Sequence, residues 1–168
     1  MKSILFALFF LSASLAQGQQ PTVRETELKN EAECGNPLVE SMAWAVVSGT
    51  VVRVVDGRSF LLKTGEGKMV EVVLGAVDYG RGNEKRRNAL SSWIQDRPVT
   101  VLVNPQSRDA KSVVGVVHSA SLDVNRELLR TGVAKYKEPI AYSVSNYVAC
   151  TYRIAEREAK QEKRGLWQ

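Results

Sequence analysis

The run Asp56-Gly57-Arg58-Ser59-Phe60 carries the sharpest chemical signal in this 168-residue chain. It closes one β-patterned segment (50–55) and opens another (60–64), so its side chains are expected at the mouth of a small sheet. Two carboxylates flanking the glycine of such a tight turn would offer a hard divalent cation two oxygen ligands. The second of those positions holds Arg58, which cannot ligate a metal and does not lose its charge. The turn has the outline of a cation site with the wrong side chain in it.

The other metal-ligating residue types are sparse. His118 is the single histidine, at the end of a Val-rich segment, and reads as structural; no Cys/His metal constellation exists. Cys34 and Cys150 are the two cysteines. One disulfide is the natural reading in a chain that leaves the cytosol, and two buried free thiols is the alternative. A bridge would tie an N-terminal arm to the C-terminal helical region and contribute about 3–4 kcal/mol by closing a long loop.

Export is written at the start of the chain. Residues 1–18 read as a secretory signal: Lys2, an apolar run from Ile4 to Leu11, then small residues through Ala16 and Gly18. That run is too short to span a bilayer, and no second one follows, so a secreted or periplasmic protein without a membrane anchor is expected. Cleavage takes one Lys and no acid from 23 basic and 18 acidic residues, leaving 22 against 18 and a charge near +4. A mildly basic surface permits a polyanionic partner without demanding one.

The elements that must position the turn follow from periodicity. Residues 19–42 form a polar, charged arm with a helical tendency around 25–33, and the domain proper is expected over 43–168. Segments 44–55, 60–63 and 68–77 are rich in Val and aromatic residues, with 65–67 as a hairpin turn. Over 82–96 the period changes: Ala89, Leu90, Trp93 and Ile94 make an apolar stripe, with Lys85, Arg86 and Arg87 on the opposite face. Arg97-Pro98 stops that helix, a fourth strand runs 99–103, a polar loop 104–112, and a fifth strand 113–117. A helix over 122–130 with Gly132 beyond its end, and a closing helix over 145–164 ending at Gly165, complete the chain. Three strands, a helix, two strands and two helices is the order of an α+β, OB-type five-stranded barrel capped by about three helices. Barrels of that type commonly bind oligonucleotides or oligosaccharides.

Four motifs in order narrow the family. They are Gly49-Thr50-Val51-Val52-Arg53-Val54-Val55-Asp56-Gly57, and Val72-Val73-Leu74-Gly75-Ala76-Val77-Asp78. Then come Val124-Asn125-Arg126-Glu127-Leu128-Leu129 with Gly132 and Ala134, and Ala155-Glu156-Arg157-Glu158-Ala159-Lys160 with Gly165-Leu166-Trp167. Over roughly 43–167 the chain resembles the staphylococcal nuclease (thermonuclease-like) family. The resemblance implies a calcium-dependent phosphodiesterase with two carboxylate ligands, a Glu base and two arginines that neutralise the phosphoryl oxygens.

Carried over residue by residue, that machinery is largely missing. Asp78 matches one calcium ligand and Asp56 opens the other turn, but the second ligand position is Arg58. The first arginine position falls on Val73, the base on Arg81 and the second arginine on Ser112; Glu84, three residues past Arg81, is the weak substitute base. Such losses together imply a pseudoenzyme. No cofactor is expected, and calcium only for an active nuclease with displaced groups drawn from Glu84, Arg108 and Lys111. The expected role is weak, sequence-independent binding of nucleic acid or another polyanion by a monomer. The binding residues would be Arg58, Arg81, Arg86, Arg87, Arg108, Lys111 and Tyr79, with Tyr136 and Tyr142 flanking the cleft. A protein-interaction scaffold is the remaining alternative. Arg58 is expected to pair with Asp78 or Asp56 in place of the cation.

Overall fold

The Val-rich segments alternate buried and exposed residues because one face of each must leave water, and the sheet they form curls until that face is enclosed. The computed structural model describes residues 32–35, 44–78, 84–108, 112–139 and 144–168, with the backbone alone over 105–108. Five strands close a mixed barrel: β1 (Ala45–Val54), β2 (Ser59–Thr64), β3 (Met69–Leu74), β5 (Pro98–Arg108) and β6 (Ser112–Ser119). The hydrogen-bonded order is β3-β2-β1-β5-β6, and a parallel β3–β6 pairing shuts it. Val51, Phe60, Leu62, Val72, Val101 and Val103 fill the interior with no exposed surface.

β1 bends at a bulge where its register with β2 shifts between Val51 and Arg53. The Gln95 side chain repairs the interrupted ladder: its Oε1 accepts the Val54 N–H at 3.2 Å and its Nε2 donates to the Val52 carbonyl at 3.1 Å. Gln95 follows α1 (Glu84–Ile94), so the helix end and the bend hold each other.

Two helices complete the fold. The two-residue strand β7 (Leu122–Asp123) runs into α2 (Val124–Arg130), where the Asp123 carboxylate caps the Arg126 N–H at 2.9 Å. In α3 (Asn146–Gln161) the Ser145 hydroxyl accepts the Val148 N–H at 3.1 Å. Tyr152, fully buried on α3, donates its hydroxyl to Asp123 at 3.1 Å and locks the helices together.

The Val-Asn and Gly-Leu-Trp motifs turn out to be structural. Asn125 is fully buried; it accepts the Val117 N–H at 3.0 Å and donates to the carbonyls of Gly75 and Gly115 at 3.0 and 3.1 Å. Gly132 and Gly165 cross at their backbones, both with positive φ (67° and 53°). A Cβ on Gly165 would stand 2.4 Å from the Gly132 carbonyl oxygen, and one on Gly132 would stand 2.2 Å from that of Arg164.

Several expected boundaries move. The polar loop placed at 104–112 begins instead as a continuation of β5 to Arg108, because Arg108 pairs with Val113 across a register shift. The third β segment ends at Leu74, and Ala76 turns with φ 58°. Val77–Asp78 then forms a separate strand, β4, antiparallel to β8 (Lys135–Tyr136). The helix expected over 122–130 yields its first two residues to β7, and the closing helix stops at Gln161, before a 3-10 turn at Gly165–Trp167. In the N-terminal arm, 32–34 is helical; the rest of that expectation and residues 1–18 lie outside the described residues.

Candidate functional site: the Asp56–Arg58 turn and its surroundings

The turn at 55–58 is held by the Asp56 carboxylate. Asp56 Oδ1 accepts three hydrogen bonds, from the backbone N–H of Arg58 and of Ser59, both at 2.8 Å, and from the Ser59 hydroxyl at 2.9 Å. An Asp closing its own turn in this way satisfies backbone donors that have no strand partner. The Arg58 carbonyl accepts the Leu74 N–H at 2.9 Å, which fastens the turn to the end of β3, four residues before Asp78.

The expected ion pair is not formed. Among the described residues the exposed Arg58 side chain pairs with neither Asp56 nor Asp78; only its backbone meets Asp56. Asp56 Oδ1 is occupied by donors of its own turn, and the Arg58 side chain is exposed. The cation set directly opposite Asp78 is Lys135, through the β4–β8 register. Sequence reasoning missed Lys135 because a two-residue strand shows no period.

Of the expected basic residues, Arg86 requires a correction. It is 8 % exposed and lies on the inner face of α1 with Leu90 and Ile94, at positions four apart. The helix turns 100° per residue, so Arg86 falls on the apolar stripe rather than opposite it. Arg87 and Glu84 are exposed on that helix. Arg108 ends β5, with its backbone opposite Val113, and Ser112 opposes Glu71. Val73 pairs with Ser59 and Val114 within the barrel wall. Tyr79, Arg81, Lys111 and Tyr142 lie outside the described residues.

Tyr136 is drawn toward α3. Its N–H donates to Glu156 Oε1 at 2.8 Å, its hydroxyl to Glu138 Oε2 at 3.0 Å, and the Arg153 guanidinium stands 5.9 Å from its ring centre. Burial, then the Glu138 carboxylate, pushes its phenol above the usual range.

His118 lies within β6. It is half-buried, opposite Thr100 of β5 and Asp123 of β7. Burial raises the Asp123 carboxyl above the usual carboxylate range, against the Arg126 N–H, His118, the Arg126 charge and the Tyr152 hydroxyl, all of which pull it down. Burial also drives the Tyr152 phenol well up, reinforced by Asp123.

Cys34 and Cys150 are bonded, with their Cα atoms 5.6 Å apart, as expected from their even count. Among the described residues no helix is long and apolar enough to cross a membrane. Nor, among those residues, does any group of three or more His, Cys, Asp or Glu gather.

No curated protein matches the chain. A family profile described as "Staphylococcal nuclease homologue" matches residues 69–168, from β3 to the C-terminus. β1, β2 and the Asp56–Arg58 turn precede the matched residues and are joined to them by the closed barrel. The matched region holds Asp78, the buried Asn125 and the Gly132–Gly165 crossing. With this match over more than half its length and the barrel and helices that accompany it, the chain belongs to the staphylococcal nuclease homologue family.

Proposed function

We propose that this chain is an exported nuclease-fold protein that no longer hydrolyses phosphodiesters and binds nucleic acid or a similar polyanion. Family membership supports a nuclease-related or nucleic-acid-binding function. The observation that carries the loss of catalysis is the turn. Asp56 Oδ1 is committed to three donors and the neighbouring ligand position is an exposed guanidinium. These residues do not fit calcium: a positive side chain beside Asp56 repels the ion and offers it no oxygen. Without the cation, water activation and phosphoryl neutralisation lose their main electrostatic support.

The disulfide between residues 116 apart supports an oxidising compartment, consistent with residues 1–18 acting as an export signal. Arg58 and Arg87 are the exposed members of the expected binding set whose side chains are described. A few such cations make sequence-independent contacts with phosphates, each adding close to one unit to the salt slope. Binding of a labelled single strand, followed by anisotropy at several salt concentrations, tests this. Arg58→Ala and Arg87→Ala are each expected to weaken binding equally for all sequences and to flatten its salt dependence. Binding unchanged by high salt or by both variants would replace the polyanion reading with that of a protein-interaction scaffold.

A further inference from the structure

Arg153, Arg157 and Lys160 are exposed along the outer face of α3, at spacings of four and three that place them on one ridge. Two of them meet acids close by. Lys160 Nζ lies 2.6 Å from Glu156 Oε2, one turn back, and Arg153 Nη1 lies 3.8 Å from Glu138 Oε1. Arg157 is met from 124 residues away: its two terminal nitrogens donate to the two carboxylate oxygens of Glu33, both at 2.7 Å. Exposed pairs of this kind contribute little when both partners are free to leave.

Glu33 is not free to leave. The next residue, Cys34, is bonded to Cys150, seven residues before Arg157 and therefore on the same side of α3. Those seven residues span about 10 Å of helix, and helical side chains lean toward the N-terminus, so Arg157 reaches back toward the bridge. A tether this short sets the effective concentration of the Glu33 carboxylate at about the millimolar level or above.

We propose that Glu33 is a built-in competitor, held by the disulfide over the central cation of a phosphate-binding ridge formed by Arg153, Arg157 and Lys160. The fork that takes a carboxylate in two parallel hydrogen bonds takes a phosphate in the same way. The partner that fits is a single-stranded nucleic acid, because aromatic rings are interleaved with the cations. Tyr136 lies under Arg153, and Trp167 lies 4.5 Å from Lys160 Nζ and 5.2 Å from Lys135 Nζ. Bases stack on such rings while the cations track the backbone. The inference rests on the polyanion reading and adds a ridge on α3 to the contacts of Arg58 and Arg87.

The test is anisotropy of a labelled oligothymidine with the disulfide-bonded protein at low and moderate salt. Glu33→Gln removes the competing charge and is expected to tighten binding about threefold to tenfold and to steepen the salt slope by about one unit. Adding Arg157→Gln to that variant should remove the gain, and thermal melting should show all variants folded. Equal binding by parent and Glu33→Gln, or a gain that survives Arg157→Gln, overturns the proposal. If Arg58→Ala abolishes binding while Glu33→Gln is silent, the cleft reading stands and this one falls; if no form binds the oligonucleotide, both fall.

Discussion

Asn125 and Asp123 show how much this fold asks of single polar side chains. Asn125 is fully buried and joins β6, the turn after β3 and α2 through three hydrogen bonds. Alanine there would leave the Val117 N–H and the Gly75 carbonyl without that partner in an apolar interior, where each such group costs about 1–3 kcal/mol. Asn125→Ala is expected to lower the unfolding free energy by about 3 kcal/mol, read from the denaturant midpoint at unchanged slope. Asp123 behaves differently because its carboxyl titrates higher in the folded chain than the ordinary value of 3.8. The native state therefore holds its proton to higher pH than the unfolded chain, and stability falls as pH rises through that window. Asparagine keeps an acceptor for Arg126 and Tyr152 without the charge. Asp123→Asn should match the parent near pH 3 and gain on it as pH climbs toward 7, measured by urea unfolding across that range. A constant offset at every pH would contradict this.

At the scale of elements, the strands, the helices and their order could be read from the chain because alternation in the barrel and the 3.6 period of the helices act over six or more residues. What escaped reading depends on shorter or tertiary signals. β4 and β8 are two residues each, and only their mutual pairing defines them. Arg86 looked solvated because its neighbours Lys85 and Arg87 are charged, yet its spacing of four from Leu90 puts it inside. At the candidate site Arg58 was legible as a residue type that cannot ligate a cation. That its side chain pairs with neither acid was not, because the three donors that claim Asp56 Oδ1 come from the turn's own backbone and Ser59. The glycine crossing illustrates the reverse case, a motif visible in sequence whose reason is tertiary. Gly165→Ala combines a left-handed backbone with a Cβ 2.4 Å from a carbonyl oxygen. It is expected to cost about 2 kcal/mol or more and to release the Leu166 N–H from Gly132, so the melting temperature should drop by several degrees.

For the whole molecule, a closed barrel, two packed helices and a bridge from Cys34 to Cys150 make up a staphylococcal nuclease-family architecture around the Asp56–Arg58 turn. The proposed loss of catalysis rests on that turn: Asp56 Oδ1 is taken by three donors of the turn, and Arg58 stands where a cation would need an oxygen. The direct test is the rate of single-stranded DNA cleavage by purified, disulfide-bonded protein with millimolar calcium and with a chelator in its place. The account predicts the same background rate in both, no different from buffer, while the oligonucleotide is bound and recovered intact. Calcium-dependent cleavage that disappears with the chelator, and with Asp78→Ala, would contradict it and return the chain to the active nucleases.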